Sequence, residues 1–163
     1  MSEADRGQSH AINKGFAGAT GDLFGWLNSD DQLEPGALQI VAEHALRSRD
    51  AEAFVGYGQI IDLTGKVVYY KRPGALTFEE FCRWCAGGDF MQPSCFFRRS
   101  AWEVTGPVDQ SVRIALDVDL ASLSMSLTHD RAKSWSAHRD EMVIDTAIVV
   151  IRAGARSSYG LSW

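Results

Sequence analysis

The residues that most constrain this fold are Leu23-Phe24-Gly25-Trp26-Leu27, a short apolar run ending directly in Asn28-Ser29-Asp30-Asp31. A run of that length, bounded by turn-forming residues, reads as a buried strand, and its position predicts a central one. In open α/β sheets, ligands bind beyond the carboxyl ends of strands, so a strand handing over to adjacent carboxylates marks a candidate site. Two neighbouring carboxylates suit a hard divalent cation, which Mg²⁺-type sites hold through one or two carboxylates plus substrate phosphates. Asp30 or Asp31 is equally suited to capping the next helix. The spacing by itself leaves both roles open.

The surrounding elements follow from local signals. Ser9 reads as the N-cap of a helix through Ala19, with Gly21 as its stop. Pro35 opens a second helix at its first position, with Leu38, Val41, Ala42, Ala45 and Leu46 on one face. Phe54–Asp62 and Lys66–Lys71 are rich in β-branched and aromatic residues and flank Leu63-Thr64-Gly65, the pattern of a hairpin. Thr77 with Glu80 and Ser100 with Glu103 form capping boxes for two further helices, and Ser94–Arg98 between them reads as a strand. Met142, Ile144, Ala147, Val150 and Ile151 make one apolar stripe of a final helix. Strands alternating with helices give an α/β class. The absence of repeats and linkers makes residues 1–163 one unit.

Composition excludes some functions. A net charge of −5 argues against a nucleic-acid partner, which requires a basic face. The longest apolar run, Ala147 to Ile151, falls far short of the ~20 residues of a membrane span. The polar start, Met1 to Arg6, is unlike a signal peptide. Three cysteines suggest a reducing compartment, so the expected location is cytoplasmic, with peripheral attachment at the inner face of the membrane as a variant. Cys82 and Cys85 form a single CxxC with no second pair, which is weak ground for a zinc or redox site. Arg98 and Arg99 could bind phosphate, but adjacent strand residues face opposite ways, so at most one does.

The ordered series Asp5-Arg6-Gly7-Gln8 through Asn13-Lys14-Gly15-Phe16, Trp26-Leu27-Asn28-Ser29-Asp30-Asp31, Pro35-Gly36-Ala37-Leu38, Gln92-Pro93-Ser94, Phe96-Phe97-Arg98-Arg99 and Leu116-Asp117-Val118-Asp119 resembles the family 2 glycosyltransferases. The resemblance is strong over residues 1–120 and weaker over 121–163. It implies a Rossmann-like nucleotide-diphospho-sugar transferase domain using Mg²⁺ or Mn²⁺ and a nucleotide sugar, such as a UDP- or GDP-sugar. The implied reaction is an inverting single displacement onto a hydroxyl of a glycan acceptor. It further implies that Asn28, Asp30 and Asp31 hold the ribose and the metal on the diphosphate, with Arg6 and Lys14 on the donor side. Asp117 stands at the position of the general base, lining the same cleft, and Gln92 and Asp119 lie on the acceptor side. His129 is a weaker metal candidate.

Two departures qualify the resemblance. Family members begin with a strand, a helix and a second strand ahead of the Asp5–Gln8 region, so the expected domain is incomplete at its start. A short internal deletion is the simplest reading of the segment after Leu120. An incomplete sheet would expose an edge near Leu23 and favour self-association. The competing readings are an inactive remnant that acts at most as an interaction module, and an unrelated metal-dependent phosphate-ester enzyme built on Asp30 and Asp31.

Overall fold

The computed structural model describes residues 4–73, 91–111 and 143–152. The expected helix after Thr77, the CxxC, Asp117, Asp119 and His129 lie outside these residues.

Helix α1 spans Gln8–Gly18 and starts two residues earlier than its sequence signal suggests. Its N-cap is Gly7, at φ 123°, and Ser9 lies buried within the first turn. Helix α2 runs Ala37–Arg47 behind a left-handed Gly36, so Pro35 precedes the cap instead of occupying the first helical position. No side chain caps α2, which removes the capping alternative for Asp30 and Asp31. Its buried stripe is Ala37, Val41 and Ala45, spaced one turn apart, whereas Leu38 and Leu46 point outward at 60% and 65% exposure. The small residues of α2 face the sheet, which lets the helix approach it closely. Helix α3 spans Arg99–Thr105. The expected Ser100–Glu103 box does not form; Arg98 is the N-cap, and the Ser100 hydroxyl donates to Glu52 at 3.1 Å.

Among the described residues six strands form one mixed sheet: β1 (Leu23–Phe24), β2 (Asp31–Leu33), β3 (Ala53–Ile61), β4 (Val67–Lys71), β5 (Cys95–Arg98) and β6 (Val143–Arg152). The order is β1-β5-β3-β6-β2, and β4 pairs with β3 beside β5. Strand β3 organises the sheet. Residues 53–55 pair antiparallel with β5 and residues 58–61 antiparallel with β4, while β6 runs parallel along β3 over Val55 to Ile61.

Two expectations are corrected here. The Leu23–Leu27 strand is not central: only Leu23 and Phe24 are extended in the ladder, and β1 ends the sheet, paired with β5 alone among the described residues. Residues 143–152 form a strand, not a helix. Seven of these ten residues are β-branched, and ladder partners on both edges outweigh a stripe that also fits helical spacing.

The hairpin forms where its signals place it. The Asp62 carboxylate accepts from the Thr64 N–H, the Thr64 hydroxyl and the Lys66 N–H, which holds the acid below the usual carboxylate range. Gly65 supplies the left-handed residue the turn needs, at φ 87°.

Alternation along β5 sends its two phenylalanines to opposite layers. Phe96 joins Val41, Ala45, Phe54 and Val55 beneath α2. Phe97 joins Phe16, Phe24 and Val108 beneath α1. Phe16 stacks on Phe24 at 4.9 Å and meets Phe97 and Trp102 edge-on. The buried Asn13 amide locks α1 in place by donating to the Val108 carbonyl and accepting from its N–H, both at 2.9 Å. Among the described residues no helix is long and apolar enough to cross a membrane.

Candidate functional site

Beyond β1 the chain leaves the ladder, passes Gly25 to Asn28 and re-enters the sheet at Asp31 as the far-edge strand β2. The segment therefore crosses the end of the sheet and leaves Asn28, Asp30 and Asp31 there. An Asn28 carbonyl to Asp31 N–H bond of 3.2 Å closes the turn and places Asp30 at its exposed tip.

The side chains form a connected network. Gln92, 4% exposed, donates from Nε2 to the Trp26 carbonyl at 2.9 Å. Its Oε1 accepts from Asn28 Nδ2 at 3.4 Å, and the same Nδ2 donates to Asp31 Oδ2 at 3.0 Å. On the other side, Asn28 Oδ1 accepts from Gln8 Nε2 at 3.3 Å. Gln8 is the first residue of α1, so the N-terminal end of that helix lies at the cluster. The helix has no side-chain cap there, which leaves a partial positive charge suited to an anion.

Burial raises the Asp31 carboxyl above its ordinary value. The Asn28 hydrogen bond opposes that rise, and the neighbouring Asp30 charge adds to it. A carboxylate held partly desolvated beside a second one favours an arriving cation. Among the described residues no three His, Cys, Asp or Glu side chains converge.

A cleft of about 520 Å³ runs between α1 and residues 23–28. Ile12, Phe16, Phe24 and Trp26 contribute to its apolar wall, and Gln8 and Asn28 are its polar side chains. The network and the cleft thus share Gln8, Asn28 and, through its carbonyl, Trp26.

The other sequence candidates are placed as follows. Arg6 is exposed just ahead of α1, with its N–H donating to His10 Nδ1 at 3.1 Å. Lys14 lies on α1, and its ammonium donates to the Ala4 carbonyl at 3.3 Å. Gln92, expected on the acceptor side, is hydrogen-bonded to Asn28.

Arg98 and Arg99 do face opposite ways, but both serve the backbone. Arg98 donates to the carbonyls of Ala45, Ser48 and Ala51, closing the end of α2, and Arg99 donates to Ala19 and Gly21 beyond α1. Cys95 is partly buried against the core beneath α2, and burial pushes its thiol up to about 12.

Sequence reasoning missed Gln8. Gln8 belongs to the quoted series, but nothing local tells that its amide reaches Asn28.

The family model described as Glycosyl transferase family 2 matches residues 1–105. An uncharacterized glycosyltransferase of Nostoc sp. is 35% identical over 66 residues, which cover 40% of this chain and 20% of that protein. The crystal structure of S. aureus TarS 1-349 superposes with a TM-score of 0.57 at 12% identity, covering 90% of this chain and 40% of that one. A second TarS structure gives 0.54 at 12% identity over 86% of this chain and 23% of that one. The likeness to TarS concerns the fold. The chain spans well under half the length of each of these proteins.

Proposed function

The chain belongs to glycosyl transferase family 2 and has the corresponding Rossmann-like glycosyltransferase fold, and we propose that its Asn28–Asp31 turn holds the diphosphate end of a nucleotide-sugar donor. The reaction proposed is transfer of the sugar to a hydroxyl of a glycan acceptor by inverting single displacement. The observation that carries this reading is the desolvated Asp31 beside Asp30, oriented by Asn28 at the uncapped start of α1.

Two oxygen donors are a suitable protein share for Mg²⁺ or Mn²⁺ when substrate phosphates complete the shell. Asp30 and Asp31 would hold the ion, which when bound neutralises charge on the departing nucleoside diphosphate. Asn28, whose Oδ1 faces Gln8 next to the cleft, is the proposed ribose contact. The resemblance assigns proton removal from the acceptor hydroxyl to Asp117 and further donor contacts to Arg6 and Lys14, with His129 as an additional metal ligand. Asp119 stays on the acceptor side in this proposal. Self-association through the outer edge of β1 is part of the same reading.

The test is release of nucleoside diphosphate from a panel of UDP- and GDP-sugars with Mn²⁺ and glycan acceptors. Asp117→Asn should lower kcat by ~10²–10⁴-fold with donor affinity kept. Donor affinity that collapses while kcat holds would move Asp117 from proton transfer to binding.

A further inference from the structure

We infer that Gln92 is a positioning residue: it fixes the direction of the Asn28 amide and, through it, the Asp31 carboxylate that the proposed cation would meet. The inference rests on the proposed metal role of Asp31 and goes beyond it, because Gln92 itself touches neither carboxylate in the network.

The argument is one of donor and acceptor accounting. A backbone carbonyl can only accept, and so can an ionised carboxylate. The network runs between two such ends, the Trp26 carbonyl and Asp31 Oδ2, with two amides in between. Gln92 must turn its NH₂ group toward Trp26, at 2.9 Å, so its oxygen faces Asn28. Asn28 must then turn its NH₂ group toward both Gln92 and Asp31. Each of the two Asn28 protons has one acceptor, and Oδ1 is left to face Gln8. No other orientation of either amide satisfies the same contacts.

The energetic consequence is specific. Without the Gln92 oxygen, an Asn28 flip costs less and would set Oδ1 against the Asp31 carboxylate. With Gln92 in place, the Asn28 NH₂ group holds Asp31 Oδ2 and fixes how that carboxylate is presented. Gln92 is 4% exposed, so its amide is committed to these partners without competition from bulk water. Loss of such an outer partner typically weakens metal binding by 10–100-fold.

The experiment titrates Mn²⁺ into the protein with UDP or GDP present and reads free Mn²⁺ by electron paramagnetic resonance. Wild type, Gln92→Met, Asn28→Ala, the double variant and Asp31→Asn are compared, with a melting curve for each. Gln92→Met keeps the volume and removes both hydrogen bonds; it should weaken Mn²⁺ binding about tenfold. In the Asn28→Ala background the same change should weaken it no further. Gln92→Glu can accept from Asn28 but cannot donate to Trp26, so it should fall between wild type and Gln92→Met; it carries the test if the Met variant does not fold. A Gln92 variant that melts lower yet binds Mn²⁺ as wild type does would overturn the positioning role alone. Wild-type binding by Asp31→Asn would overturn the underlying metal assignment as well.

Discussion

Asn28 Nδ2 lies 3.0 Å from Asp31 Oδ2, and this bond works against the burial that raises the Asp31 carboxyl. The desolvation wins, since it is the largest influence on the group. Burial therefore disfavours the ionised form of Asp31, as is common where a site is arranged for a ligand.

That balance has a pH signature. A carboxyl raised above its unfolded value stabilises the fold while protonated, and the stabilisation is lost as pH climbs from the unfolded value through the raised one. Asp31→Asn should therefore melt higher than wild type in EDTA, with the difference growing from about pH 4 to neutrality. Melting curves across that range check it; a variant less stable than wild type at neutral pH would mean that Asp31 contributes to the fold as an anion.

Arg98→Lys should cost about 2–3 kcal/mol, because a lysine cannot reproduce the fork that reaches the Ala45, Ser48 and Ala51 carbonyls. Guanidinium chloride unfolding measures this. Mn²⁺ affinity of the folded variant should stay as in wild type, since these carbonyls belong to the α2 end and not to the Asn28 turn.

Gly25→Ala tests the approach of the turn to the core. A Cβ at this position would lie 2.8 Å from Phe96 Cδ1 and 3.4 Å from the Cys95 carbonyl. Phe96 is buried beneath α2 and cannot simply swing away. A loss of about 1–3 kcal/mol is expected, as for other overpacked sites. Unchanged stability would show that this side of the sheet is looser than its packing indicates.

What the sequence made legible follows the range over which each signal acts. The β3–β4 hairpin is written in Asp62, Thr64 and Gly65, whose contacts are all within four residues. The Asn28–Asp31 turn is likewise local, and its residues were identified as the candidate site. Strand β6 was misread because Met142, Ile144, Ala147, Val150 and Ile151 satisfy a helical stripe. An interior strand also gives a near-continuous apolar run. Only its pairing with β3 and β2, far away in sequence, decides between them. Gln92 shows the same limit within the site. Its bonds to Trp26 and Asn28 cross 66 and 64 positions, and no local pattern encodes them.

The most direct test of the account is calorimetric titration of UDP and of GDP into this chain, with Mn²⁺ and with EDTA, for wild type and Asp31→Asn. The account predicts nucleotide binding that requires Mn²⁺ and that weakens by about 10²-fold or more in Asp31→Asn, the scale of losing a charge contact at the departing diphosphate. Nucleotide binding of equal strength in EDTA, or in the variant, would contradict it.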